Sequence, residues 1–383
     1  MYDAVIVGAG PAGTTAAASI AKGRNVLVIE EHDEIGVPAQ CAGLISVGTA
    51  DSLGVGFERY GTADTFNIIF PDGREIRIPS DRPRMVVLNR TELDGKLAEK
   101  ATDSGAEIRR SVKYLSHSVK DGIAYVETTD GTLETKLLIG ADGHSSKVAS
   151  SLGNNGPREY VRGLEFDIKH RSEEQNKIDV IFGTKVAPGF FAWSIPCGDF
   201  TRVGLCTSWD AGLPSDYIAP LINRLGLSGK PVLKKYSGKI PLGGRRITYS
   251  DNLMLIGDAA GQIKPISGGG LYPIVKAVPC LRETAEEAFG KNDFSGKVLS
   301  RYEKRWKSAI GKEMKNGYRM RKMFIKMNDD DFGGMYRAFD SEKLIRHMGE
   351  IDIDNTSSIA KYALVNPTFM RYAVPIGLKV LFR

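Results

Sequence analysis

Apolar residues near the start of the chain fall into two unbroken runs, Ala4-Val-Ile-Val7 and Val26-Leu-Val-Ile29. A run with no polar alternation reads as a strand covered on both faces, the signature of a parallel sheet. Between them, Gly8-Ala-Gly-Pro-Ala-Gly13 passes into the small-residue stretch Thr14 to Ile20, which predicts a tight turn and a helix start. Residues 37 to 50 read as loop and short helix. Residues 65 to 79 alternate around Asp72-Gly73 and predict a hairpin. Residues 91 to 105 predict a helix that Thr91 starts, Leu93 and Leu97 face inward, and Gly105 ends. Glu107 to Thr135 predicts a meander turning at Asp121-Gly122 and Asp130-Gly131. A buried strand from Lys136 to Ala141 then runs into Asp142-Gly143. From about Tyr160 to Leu242 a period of two dominates, with turns at Gly183, Gly189 and Gly198, and predicts antiparallel sheet. The unalternated pattern returns at Leu253 to Ile256, and a helical remainder begins near Tyr272.

The expected fold is α/β: a Rossmann-type domain in pieces, 1–60, 85–150 and 251–290. An antiparallel β domain for substrate, 61–84 and 155–250, is interleaved with it, and a helical region, 291–383, follows. In the first piece Gly8 permits the turn, Gly10 lets backbone approach a pyrophosphate, and Gly13 lets helix and strand pack closely. The helix N-terminus offers N–H groups and partial positive charge to phosphates. Glu30 closes the second strand where a carboxylate accepts from a ribose hydroxyl. A second segment, Gly257-Asp258-Ala-Ala, ends a strand, and Asp258 is placed for a ribitol hydroxyl. Gly268-Gly269-Gly270 then opens a helix whose N–H groups can face a phosphate or a flavin ring. The two segments together point to FAD rather than NAD.

Bulk properties narrow the setting. The 383 residues can bury a large core, and 42% hydrophobic with 26% charged residues is ordinary for a globular protein. The four cysteines, Cys41, Cys197, Cys206 and Cys280, are scattered, so neither zinc nor a disulfide framework is suggested, and a reducing, cytoplasmic setting fits. No metal site is expected. The first strand leaves no room for a signal peptide, and no apolar stretch is long enough to span a membrane. The net charge of +6 is concentrated. Residues 297 to 326 hold eleven Lys and Arg against Glu303 and Glu313, either a solvated helical face or a surface drawn to anionic headgroups. No nucleic-acid module is present. The tail from Lys361 to Arg383 is apolar with no acidic residue, which suits a docked helix or an interfacial one.

The set Gly8 to Gly13 with Glu30, Asp142-Gly143 and Gly257-Asp258 resembles the FAD proteins built like aromatic hydroxylases. Within that group, Pro38-Ala-Gln-Cys-Ala-Gly-Leu-Ile-Ser46, Val87-Leu-Asn-Arg90 and Phe191-Ala-Trp-Ser-Ile-Pro196 are similar to the geranylgeranyl reductase family, in particular its archaeal members that act on digeranylgeranylglycerophospholipids. The resemblance implies FAD contacts at Ala12, Glu30, Cys41, Ala42, Gly43, Arg90, Val112, Asp142, Asp258, Gly269, Gly270 and Leu271, with Arg90 on the pyrophosphate. Cys41 is either a small buried residue or a thiol lining the reacting centre, and it is the candidate catalytic group. Phe191, Trp193 and Ile195 share one strand face, an apolar wall for an isoprenoid chain. Pro279 is expected to kink its helix.

The implied activity is FAD-dependent saturation of C=C bonds in geranylgeranyl chains of an ether lipid. Ferredoxin or NAD(P)H would supply electrons, and the enzyme would work at the inner membrane surface. A proton must reach the alkene; Cys41, a water or the far side of the substrate are its open sources. Two alternatives stand beside this: an FAD monooxygenase or halogenase, which in the latter case needs a lysine at the site, and a prenyl-binding protein that performs no chemistry.

Overall fold

The computed structural model describes residues 1–39, 41–153, 156–354 and 366–381. Gln40 of the Pro38–Ser46 motif, and residues 361–365 and 382–383 of the apolar tail, lie outside the described residues. Strand Tyr2–Val7 sits inside an eight-stranded sheet, parallel to Val26–Ile29 on one side and to Gly131–Gly140 on the other. Leu253–Leu255 adds in parallel beyond Gly131–Gly140. Ala4, Ile6, Val28 and Ile139 turn to one face under helices Pro11–Ile20 and Leu271–Lys291. Val5, Leu27, Leu138 and Leu253 turn to the other, against Ala124, Val126 and Val148. With both faces covered, no position on these strands can be polar without a buried partner, and the unbroken runs follow.

Two local readings need correction here. Glu107–Arg109 is not part of the meander but a parallel edge strand beside Val26–Ile29; three residues are too few to display a period. The helix predicted from Thr91 starts at Arg90, because Asn89 caps it by accepting from the Glu92 N–H. The expected meander turn at Asp121-Gly122 joins Tyr114–Lys120 to Ile123–Thr128, and the one expected at Asp130-Gly131 sits one residue earlier, at Thr129-Asp130, because Gly131 already opens strand Gly131–Gly140.

A second sheet has seven strands, in the order Val232–Leu242, Glu159–Ile168, Phe200–Ser208, Ala192–Cys197, Lys177–Ile181, Thr65–Ile69 and Glu75–Ile78. All pairs are antiparallel except Lys177–Ile181 with Thr65–Ile69. Helix Ser215–Arg224 covers one face through Ile218 and Leu221. Period-two reading passed over this helix, whose internal Pro220 reads as a breaker. A third, three-stranded sheet joins Leu44–Ser46, Met85–Leu88 and Arg59–Ala63. Leu44–Ser46 lies in the segment read as loop.

The helical region closes over the open face of the second sheet. Helix Asp329–Phe339 begins with a full capping box between Asn328 and Asp331. Its Phe332 stacks on Phe182, 5.6 Å between centroids, and both meet Phe324 edge-on. Helix Pro367–Leu381 packs against it, with Phe369 edge-on to Phe339. Arg84, just before strand Met85–Leu88, ties down the end of helix Glu342–Glu350 by donating to the carbonyls of Met348 and Ile351 at 2.7 and 2.6 Å. Helix Leu271–Lys291 runs on through Pro279.

Candidate active site

A single cavity of about 1600 Å³ extends from the glycine loops of the parallel sheet to the roof of tail helices. Drug-sized ligands fill roughly 300–1,000 Å³, so this space exceeds what one such molecule needs. Gly8, Gly10 and Ala12 border one end, with Glu30 and Val112 beside them, and Asp258, Gly269, Gly270 and Leu271 facing them. A Cβ on Gly8 would come within 2.5 Å of the Ala141 carbonyl oxygen, and one on Gly13 within 1.9 Å of the Gly8 carbonyl oxygen. Neither clash can be relieved by moving a side chain. Gly13 therefore serves packing, and it is not on the cavity wall.

The end bordered by these loops is prepared for an anionic dinucleotide. Helix Pro11–Ile20 starts with no side-chain cap and no acidic residue in its first turn, and so does helix Leu271–Lys291. Helix Asp329–Phe339, by contrast, starts with three aspartates and a capping box. Uncapped N-terminal N–H groups keep their partial positive charge for a ligand. Glu30 is fixed by the Ala9 N–H at 2.8 Å and by His32 at 2.7 Å, which leaves it pointing along the cavity rim. Burial raises the Asp258 carboxyl to about 6, with Arg90 and Arg245 working in the other direction. These residues fit FAD: backbone donors for the diphosphate and carboxylates at both sugar positions.

Other expected contact residues have partners within the chain. Arg90 reaches the cavity wall, but both its Nε and Nη2 are engaged by Asp94, at 3.0 to 3.2 Å, in a buried ion pair. Burial lowers the basicity of Arg90, and Asp94 and Cys41 more than reverse that. Asp142 also borders the cavity, yet its carboxylate is spent on its own turn, accepting from Ser146 Oγ at 2.5 Å and the Val148 N–H at 3.1 Å. Cys41 and Ala42 are on the wall, and Cys41 Sγ accepts from the Gly43 N–H at 3.4 Å. Gly43 is not on the wall; its carbonyl accepts from the Leu88 N–H at 2.8 Å, which holds the loop to the third sheet.

At the other end the walls are apolar. Phe191, Trp193 and Ile195 all face the cavity, as their alternation requires, and Phe190 stacks on Phe191 at 4.5 Å. Phe182, Phe324 and Phe332 continue the surface, and Met314, Met323, Met327 and Met335 complete the roof. None of these roof residues stood out in the sequence, because ordinary core helices carry the same types at the same spacing.

A polar group that the sequence pattern did not single out lies between the two ends. Glu165 and Asp167 share one side of strand Glu159–Ile168 and both are buried, and Glu165 borders the cavity. Arg202 donates to Asp167 at 2.8 and 3.1 Å and to the Ala42 carbonyl at 3.0 Å, so it links this strand to the Cys41 loop. Trp193 Nε1 donates to Glu165 Oε2 at 2.7 Å, and Tyr236 donates to Asp167 at 3.0 Å. Burial raises the Glu165 carboxyl to about 7 despite Arg202 and the Trp193 hydrogen bond. The available signal was Glu165-Phe-Asp167: two acids at inward spacing within an otherwise apolar strand. A second polar cluster joins Lys264 to Asp354 at 2.7 Å, with Thr49 and Ser46 donating to the same carboxylate. Among the described residues, no group of three His, Cys, Asp or Glu is arranged to hold a metal ion.

Comparison with known proteins agrees with this geometry. Residues 1–211 match the family described as the FAD binding domain. The digeranylgeranylglycerophospholipid reductase of Methanocaldococcus jannaschii is 31% identical over 88% of this chain and 90% of its own length. In fold, a geranylgeranyl bacteriochlorophyll reductase-like protein from Thermoplasma acidophilum superposes with a TM-score of 0.84 over 98% of this chain and 99% of that one, at 23% identity. The halogenase PltM, solved with phloroglucinol and FAD, shares the fold at a TM-score of 0.70 and 17% identity, covering 96% of this chain and 87% of its own.

Proposed function

We propose that this chain, which belongs to the family of FAD-dependent digeranylgeranylglycerophospholipid reductases, saturates isolated C=C bonds in the geranylgeranyl chains of an ether-linked glycerophospholipid. The observation that carries this is the continuity of the cavity: one space runs from uncapped helix ends and sugar-facing carboxylates to a wall of Phe, Trp and Met. Reduced FAD supplies hydride. The protein holds the dinucleotide through the loops at Gly8–Gly13 and Gly268–Gly270, with Glu30 and Asp258 at the sugar hydroxyls. Phe191, Trp193 and Ile195 hold an alkene in a dry environment, which contributes positioning and excludes water. An unactivated alkene gives no polar handle, so such a site must select by shape and apolar contact alone.

Lipid would enter from a membrane surface. No helix of the described residues is long and apolar enough to cross a membrane. Met320, Val374 and Leu378 are exposed and also border the cavity, so its mouth opens on an apolar patch. Ile325 and Met370 are exposed as well, and the basic run of residues 297 to 326 passes along helix Lys312–Phe324, which carries Met320. Part of that run is internally neutralised: Arg301 and Arg305 pair with Glu287, Lys307 with Glu303, and Arg321 with Glu159. Lys297, Lys304, Lys312, Lys315 and Arg319 are exposed and would meet anionic headgroups. Electrons come from an external donor, a ferredoxin or NAD(P)H, since the chain carries one dinucleotide fingerprint.

The halogenase alternative needs a poised lysine. Lys264 does stand on the cavity wall, but its ammonium is bound to Asp354. The deciding experiment is anaerobic: reduce the FAD-loaded protein with dithionite, add geranylgeranyl lipid, and weigh the product. A gain of two hydrogens per bond is expected; unchanged lipid, with oxygen consumed on admitting air, would overturn the assignment.

A further inference from the structure

We propose that Glu165 is the acid that delivers the proton to the alkene, an inference that rests on the reductase reading above. Three features of its surroundings support this. Its side chain is 96% buried by the complement of its 4% exposure, yet it borders the cavity. Its Oε1 has no hydrogen-bond partner, although Arg202 Nε lies 3.4 Å away, because that N–H is directed to Asp167. Its Oε2 is fixed by the Trp193 indole N–H, from the same strand that forms the apolar wall. A Cβ on Gly204, across from Trp193, would sit 2.5 Å from the indole ring, so the missing side chain there gives the ring its place. One oxygen is thus anchored, and the other is buried without a partner beside the cavity.

The charged and titratable groups around Glu165 all come from neighbouring strands or its own. Asp167 is two residues along; Arg202 and Cys206 lie on Phe200–Ser208, Cys197 on Ala192–Cys197, and Tyr236 on Val232–Leu242. Arg202 is matched by Asp167, so it does not strip the proton from Glu165. The thiols of Cys197 and Cys206 and the phenol of Tyr236 are all pushed up, chiefly by burial, too far to act as acids near neutrality. Glu165, with its carboxyl raised to about 7 by burial, keeps a proton that it can give up.

The O–H bond of Glu165 breaks, and its proton forms a new C–H bond at one alkene carbon. The other hydrogen arrives with both electrons as hydride from the reduced cofactor. The alkene is reduced, the cofactor oxidised, and the carboxylate regains its proton from water.

The test compares wild type with E165Q, which keeps an acceptor for Trp193, and with W193F, which removes that donor. Infrared titration of the FAD-loaded protein without lipid is expected to show a protonated carboxyl band that disappears near pH 7 and is missing from E165Q. In anaerobic single turnovers E165Q is expected to lose about 100-fold or more in rate while retaining its flavin absorbance. W193F should retain a decline in rate with rising pH, displaced to higher pH because the indole N–H that favours the charged carboxylate is gone. An E165Q rate within twofold of wild type, an infrared band that survives E165Q, or a W193F variant with the E165Q profile would overturn the proposal. If wild type itself leaves lipid unchanged, the reductase assignment fails, and the infrared titration still reads the Glu165 proton independently.

Discussion

The two ends of the cavity are made by opposite rules. The end proposed for the dinucleotide is shaped by main chain: turns at Gly8 and Gly268–Gly270, and two helix starts with nothing capping them. The end proposed for lipid is shaped by side chains from Thr65–Ile69, Phe182–Ile195, Met314–Met327, Phe332–Phe339 and Phe369–Val380. Backbone cannot repack around an added atom, whereas Phe and Met walls can redistribute volume at modest cost. One end should therefore fail abruptly on substitution and the other by degrees.

The hardest challenge to that contrast is Gly13→Val. The nearest atom to the new Cβ is a carbonyl oxygen at 1.9 Å, so we expect no yellow, soluble protein at all, read by flavin absorbance after purification with added FAD. A stable flavoprotein would break the comparison. Next in size is Phe332→Ala at the other end. Phe332 is buried in its aromatic cluster, and the loss should be roughly 3–5 kcal/mol in a denaturant titration, with flavin still bound. Loss of flavin in step with lipid turnover would show the two ends to be one cooperative unit.

Glu165, at the junction, sharpens the contrast through pH. Its carboxyl rises from 4.5 to about 7 in the fold, so the folded state holds the proton more tightly than the unfolded chain. The resulting penalty is absent below pH 4.5, grows as pH rises, and is complete above about 7. E165Q removes it and should be more stable than wild type at pH 8, by up to about 3 kcal/mol, while the two converge toward pH 5. Equal stabilities at both pH values would contradict the burial argument. The smallest effect belongs to Leu378→Ser at the mouth. This residue is 53% exposed, so unfolding should shift by less than about 0.5 kcal/mol. Cosedimentation with anionic vesicles should nevertheless fall, and should fall further with added salt.

The same contrast explains what the sequence disclosed. Main-chain geometry leaves a local trace, because only glycine tolerates the approaches at Gly8 and Gly13, and a carboxylate must follow at Glu30. The parallel strands were equally legible from their unbroken runs. The lipid end left little trace, since Phe182, Phe324 and Phe332 meet only after distant segments fold together. Phe191, Trp193 and Ile195 were readable because a strand places alternate residues on one face. Arg90 and Asp142 show the limit of a motif: each reaches the cavity, but Asp94 and Ser146 take up their charges, and neither partner lies within the motif quoted for it. Glu165 and Arg202 were separable from surface charges only by noticing that they point inward on buried strands.

Seven of the chain's ten methionines border the cavity, most of them in its roof. Thioethers give that roof its pliancy, but oxygen converts them to sulfoxides, which are polar and bulkier. A preparation left in air would thus age unevenly: its colour would persist while its tunnel became progressively inhospitable to hydrocarbon, and repair would require a methionine sulfoxide reductase rather than fresh cofactor.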